Sequence, residues 1–180
     1  RHGNALGLLS FGDEHARMIP PGQGRKGMLG LLTLLREEPT AEGGGATSLG
    51  SAIQSLNRMA RRSRLVVIIS DFRGPRDWSS ALVELAGRHS VIAVEIQDPR
   101  EQEIPDVGEL WLVDPETGRQ LRVDTRSKKL RERFANAAAQ DRAEVAGMLA
   151  RAGAQHVVLS TRGDWLRALA GFLNAKGTAR

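Results

Sequence analysis

The chain has 180 residues, 26 Lys and Arg against 21 Asp and Glu, a formal net charge of +5 and no cysteine. This length fits a single domain, and 41% hydrophobic residues with only 4% aromatics can build an aliphatic core. The lack of cysteine excludes a disulfide framework, a thiolate nucleophile and a Cys-based zinc site.

No apolar run approaches the roughly 20 residues that span a bilayer, and no signal peptide is visible. With no cysteine either, the expected location is the cytoplasm, with no membrane insertion by this segment and with an upstream membrane anchor left open. The chain opens on Arg rather than Met and reads as a piece of a longer protein. Positive charge admits nucleic acid, anionic lipid or an acidic protein face as partners. Acidic and basic residues nevertheless alternate, as in Arg131-Glu132-Arg133. The dense run from Arg58 to Arg64 falls where cations offset a helix dipole. No nucleic-acid motif is present, and nucleic acid is not expected as a partner.

In chain order, Ala5 to Phe11 reads as a strand and Gly12-Asp13-Glu14 as a turn. Ala16 to Ile19 is a short return strand ended by Pro20-Pro21, so the pair is expected to be a hairpin at a sheet edge. Met28, Leu31, Leu32 and Leu35 recur at helical spacing. After a glycine-rich loop, a helix is predicted from Ser48 to about Arg61, with Thr47 as its N-cap. Leu65 to Ser70 is continuously apolar, as in a strand covered on both sides.

Asp77 is placed to cap a helix carrying Trp78, Ala81, Leu82 and Leu85. Val91 to Ile96 is a second apolar strand, closed by Asp98-Pro99, and 97–108 reads as a surface loop. Glu109 to Val113 and Gln120 to Asp124 form a hairpin pattern around Pro115-Glu116-Thr117-Gly118. A long helix is predicted from Ser127 to Ala152, stopped by Gly153. His156 to Leu159 is a third apolar strand, and Asp164 caps a last helix with Trp165, Leu169, Phe172 and Leu173. Strands alternating with helices mean an α/β fold, a mostly parallel sheet with helices on both faces, here a single domain over 1–180.

Two candidates for chemistry stand out. Thr47 follows Gly43-Gly44-Gly45 at a helix start, and Asp71 ends the strand 65–70. An open α/β sheet places ligands at the carboxyl ends of its strands, where these two oxygens can share a crevice. A hard cation such as Mg²⁺ takes such ligands and keeps several waters. The plain readings are an N-cap for Thr47 and, for Asp71, an acceptor for the turn Phe72-Arg73-Gly74; it is the pairing that favours a metal. The glycines are not a phosphate loop of the Walker type, since no Lys precedes the Thr. Ser70 and Asp13 are lesser candidates, and Asp98 reads as a turn starter. His2, His15, His89 and His156 lack helical zinc spacing and are expected at the surface. The three tryptophans fall on apolar faces where core packing is the default, although Trp111, in a hairpin, is also a candidate partner surface.

Several segments carry a family likeness: Leu8-Leu9-Ser10-Phe11-Gly12-Asp13, Gly45-Ala46-Thr47-Ser48-Leu49, Val67-Ile68-Ile69-Ser70-Asp71-Phe72, Val94 through Glu101 with its Asp98-Pro99-Arg100-Glu101, Ile104 through Gly108, and Asp114-Pro115-Glu116-Thr117-Gly118. Over nearly its whole length the chain resembles the bacterial domain-of-unknown-function family, number fifty-eight, encoded beside MoxR-type AAA+ ATPases. The resemblance implies a von Willebrand factor A-like (Rossmann-like) fold with a metal-ion-dependent adhesion site: an interaction module rather than an enzyme. By position, Thr47 and Asp71 match the second and third loops of that site. The implied partners are a MoxR-type ATPase and unidentified protein clients, in chaperone-like complex assembly.

The family's Asp-x-Ser-x-Ser loop is nowhere in the chain, so the first strand and helix of the fold are expected to be missing. Weak or absent Mg²⁺ binding follows from that departure. The edge so exposed is expected to be filled by direct pairing of the strands at 5–11 and 65–70, by another chain as in a homodimer, or by disorder of residues 1–20. A competing expectation is a Mg-dependent hydrolase or phosphotransferase on a doubly wound α/β fold, which needs a second carboxylate, Asp13 or Asp98, beside Asp71.

Overall fold

The computed structural model describes residues 4–11, 17–37, 48–60, 62–113 and 120–177. The chain divides into two compact units, Arg1–Arg62 with Pro75–Leu85 and Ser63–Gly74 with Ala86–Arg180.

In the first unit, β1 (Ala5–Ser10) pairs antiparallel with β2 (Arg17–Gln23). The second strand runs through Pro20 and Pro21 instead of ending at them, which corrects the sequence reading. The register explains how. Leu8 pairs with Ile19 and Leu6 with Gly22, so a bulge sets both prolines against the single residue Gly7. A Cβ on Gly7 would lie 3.0 Å from the Ile19 carbonyl oxygen and 3.2 Å from the Pro21 ring, so a larger residue opposite the prolines would require the ribbon to give by a few tenths of an ångström. Helix α1 (Gly24–Glu37) follows directly.

Helix α2 (Leu49–Met59) is capped by Ser48, whose Oγ accepts the Ser51 N–H at 3.1 Å, so the cap lies one residue past Thr47. Gly50, Ala52, Ile53 and Asn57 are its buried positions, and the Asn57 amide donates to the Ala81 carbonyl at 3.0 Å, tying α2 to α3 (Trp78–Arg88). Asp77, expected to cap α3, holds its carboxyl against the first turn of α2: a Cβ on Gly50 would fall 2.7 Å from its Oδ2. A carboxylate there also complements the positive end of the α2 dipole.

The second unit holds a parallel three-stranded sheet in the order β3 (Leu65–Ser70), β4 (Ser90–Gln97), β7 (Gln155–Ser160). On one face Ile92, Val94, Val157 and Leu159 form a core, with Ile96 and with Leu169 and Phe172 of α5 (Trp165–Gly177) packed on it. On the other face lies α4 (Lys128–Arg151), burying Val145 and Leu149. The mixed α/β class, the parallel sheet and helices on both of its faces are therefore as the alternation of elements implied. Ser127 caps α4, Gly153 follows it at φ +78°, and Asp164 accepts the Arg167 N–H at 2.9 Å to start α5, all at the expected positions.

The hairpin of β5 (Glu109–Val113) and β6 (Gln120–Asp124) forms as expected, but as a separate two-stranded sheet. Trp78 is fully buried, whereas Trp111 and Trp165 are 63% and 52% exposed. An apolar stripe identifies the side of an element that can be buried, not whether anything covers it. β3 ends its sheet, and no described strand pairs with its outer edge.

Candidate functional site at the carboxyl edge of the parallel sheet

β3 leaves the sheet through a tight turn. The Phe72 N–H donates to Ser70 Oγ at 3.0 Å, and the Arg73 N–H to Asp71 Oδ1 at 3.1 Å. Phe72 has φ 54° and is buried to 1% exposure. A non-glycine residue in the left-handed region costs about 1–2 kcal/mol; burial of the ring and the two side-chain hydrogen bonds hold it there. Asp71 is thus exposed and pinned by its own turn, which is the plain reading of its chemistry. Its Oδ2 makes no hydrogen bond among the described residues.

Beside this turn a small cleft of about 50 Å³ opens at the carboxyl ends of the strands. Asp71 and Arg73 line it from the turn after β3, Glu95 and Gln97 from β4, Asp98 from just past β4, and Asp141 and Arg142 from α4. The Arg73 guanidinium reaches Glu101 at 2.9 Å across the rim. Asp98 caps a short 3-10 turn over Pro99–Glu101, accepting the Arg100 N–H at 2.9 Å, which is its expected role.

Glu95 lies in this lining, is only 3% exposed, and was not a candidate from sequence. Its Oε1 accepts from the Gln97 amide at 2.6 Å and its Oε2 faces His156 Nε2 at 2.7 Å. Gln102 in turn donates to Gln97 Oε1 at 2.7 Å. β4 and β7 bring the pair together: Ala93 is the register partner of His156 and Val158 that of Glu95, so Glu95 and His156 are diagonal neighbours on one sheet face. The sequence signal was a lone Glu inside Val91-Ile92-Ala93-Val94-Glu95-Ile96. Burial of its carboxylate is costly without partners, and here both oxygens have one.

This corrects the expectation that all the histidines lie at the surface. His156 is partly buried, and His89 is 6% exposed with neither ring nitrogen hydrogen-bonded among the described residues. His2, His15, Asp13 and Thr47 lie outside the described residues, so the meeting of Thr47 with Asp71 is not among the described geometry. Among the described residues no three His, Asp or Glu side chains gather as a metal-binding group. Asp71 offers a cation one oxygen that is free of other bonds, which fits one ligand of a hydrated ion and not an all-protein cage.

A family described as "Protein of unknown function DUF58" matches residues 1–144. Uncharacterized proteins of Mycobacterium tuberculosis and Mycobacterium bovis are each 39% identical over 176 residues, covering 97% of this chain and 55% of theirs. The chain therefore spans about half the length of these relatives. An uncharacterized Mycobacterium avium protein is 39% identical over 160 residues, 88% of this chain and 93% of that one. Among solved structures, the conserved hypothetical protein BatB from Bacteroides thetaiotaomicron is similar with a TM-score of 0.54 at 16% identity, over 99% of this chain and 82% of that one. An aerotolerance-related membrane protein from Bacteroides fragilis gives 0.52 at 15% identity, over 95% and 79%. At such identities the structural likeness concerns the fold alone.

Proposed function

We propose that this chain, which belongs to the DUF58 family, is a protein-interaction module of the von Willebrand A type that works with a MoxR-type AAA+ ATPase on protein clients, in chaperone-like complex assembly. The observation that supports this reading best is the cleft at Asp71. It lies at the edge where open α/β sheets bind their ligands, yet measures only about 50 Å³. A small-molecule substrate site takes roughly 300–1,000 Å³. A space of this size suits a cation with a water, or the tip of one side chain from a partner.

In this reading Asp71 would hold Mg²⁺ directly or through water, with Thr47 as the expected second protein ligand, and the ion would remain mostly hydrated and weakly bound. When bound, Mg²⁺ supplies a Lewis-acidic position for a partner's carboxylate. The chain's own contribution is the turn that fixes Asp71 and the Arg73–Glu101 pair that ties that turn to the end of β4. A second copy of the chain, docked along the open edge of β3, is a further proposed partner.

The alternative, a Mg-dependent hydrolase or phosphotransferase, draws on one feature: Asp98 lines the same cleft as Asp71. Its carboxyl is already engaged in capping, which leaves it less suited to ligation.

Titration calorimetry with Mg²⁺ and Mn²⁺ on the chain and on Asp71→Asn tests the proposal. Expected is binding on the order of millimolar or weaker, lost in the variant. Tight binding would displace the interaction module in favour of the enzyme, and binding that survives Asp71→Asn would remove Asp71 from the site.

A further inference from the structure

Helix α4 keeps one stripe out of solvent. Arg131, Ala135, Ala138, Arg142, Val145 and Leu149 recur at alternating intervals of four and three, and each is buried or half-buried. Four of these six are apolar, as a packed stripe requires. The two arginines are the exceptions, and they differ. The Arg131 guanidinium meets Asp106 at 3.0 Å and donates to the Thr125 carbonyl. Arg142 makes no hydrogen bond or ion pair among the described residues. A charge taken partly out of water without a partner is costly. An arginine usually escapes that cost by running its stem to open solvent. For Arg142 the way out is the carboxyl-edge cleft, whose lining it shares with Asp71.

That cleft is acidic. Asp71, Glu95, Asp98, Glu101 and Asp141 line it against the two guanidiniums of Arg73 and Arg142. Arg73 is held by Glu101, and Glu95 by His156 and Gln97. Arg142 is thus the cation of the cleft that no described carboxylate holds. The walls of a space of about 50 Å³ lie within one Debye length of each other, so their charges interact with little screening. The charge of Arg142 offsets the carboxylates and repels a dication entering beside Asp71. At such range this repulsion is worth about tenfold in affinity. The same guanidinium is a planar fork of donors that suits a single carboxylate. The acidic lining discourages a lone anion, and Arg142 discourages a lone dication. Bound together, each cancels the charge that opposes the other.

We infer that Arg142 is the resident cation of this cleft and makes the binding of Mg²⁺ and of a partner's carboxylate interdependent, each raising the affinity of the other. The inference rests on the reading of Asp71 as a cation ligand and names the residue that regulates that site.

Titration calorimetry with Mg²⁺ on the chain, on Arg142→Gln and on Arg142→Lys tests it, in chloride and in acetate at equal ionic strength. Expected in chloride is about tenfold tighter binding to Arg142→Gln. Arg142→Lys keeps the charge and should stay near the unsubstituted chain, which separates charge from packing. Acetate should raise the Mg²⁺ affinity of the unsubstituted chain and leave that of Arg142→Gln unchanged. Unaltered circular dichroism checks that the variants fold. Equal Mg²⁺ affinity in the chain and in Arg142→Gln overturns the inference and leaves Asp71 as a ligand. So does an acetate effect of the same size in both. Binding to Arg142→Gln that persists when Asp71→Asn is added fails the reading of Asp71 and the inference with it, as does the absence of binding to every variant.

Discussion

Glu95 and His156 lie 61 residues apart and meet beneath the cleft, where the carboxylate accepts two hydrogen bonds and so can remain buried. His89 is the opposite case, a buried imidazole with both nitrogens unpaired among the described residues, where each unmet group costs about 1–3 kcal/mol. At the surface, hydrogen bonds from the Arg126 side chain and backbone hold the Asp124 carboxyl below its ordinary value of 3.8. A carboxyl depressed in the folded state contributes stability above its unfolded pKa and loses it as pH falls through the folded one. Arg126→Gln should therefore move the Asp124 titration up towards 3.8, read by carboxyl NMR against pH. An unchanged midpoint would show that the pair does not persist in solution, and exposure and salt keep any stability effect small.

At the scale of elements, Thr125 is the joint between the loop before β5 and the start of α4. It is fully buried, its Oγ1 donates to the Gly108 carbonyl at 2.6 Å, and it accepts the Val107 N–H at 3.1 Å. Its carbonyl accepts from Arg131, whose guanidinium also meets Asp106 at 3.0 Å. Thr125→Val keeps the shape and orphans the Val107 N–H, while the Gly108 carbonyl still accepts the backbone N–H of residue 125 at 2.7 Å, so a loss of about 1 kcal/mol is expected in denaturant unfolding. A loss below about 0.5 kcal/mol would mean that water replaces the hydroxyl at this joint. The proline-bearing β2 shows a related lesson: a two-stranded ribbon with a bulge tolerates two residues that a central strand would reject.

For the whole molecule, the outer edge of β3 is open to association among the described residues. Leu65, Val67 and Ile69 are 64%, 49% and 61% exposed, and Val67 and Ile69 stand level with Ile92 and Val94 of the covered core. An open apolar edge strand is a template for another strand. If a second copy pairs there, light scattering after size exclusion should show a concentration-dependent dimer, and Val67→Lys with Ile69→Lys should shift it to monomer. A monomer at all concentrations would remove the second copy from the proposed partners. No described helix is long and apolar enough to cross a membrane.

The sequence by itself determined the order and type of the elements, because periodicity, caps and glycine stops act over a few residues. Ser127, Gly153 and Asp164 took their expected places for that reason, and Asp71 its expected turn. The N-cap at Ser48 was missed by one residue, since adjacent Thr and Ser offer the same hydroxyl. Only the tertiary structure decided which apolar stripes are covered, as the contrast of Trp78 with Trp165 shows, because covering depends on elements distant in sequence. It also decided the pairing of Glu95 with His156: a lone polar residue in a buried strand signals a partner, but the register of a parallel sheet chooses which one.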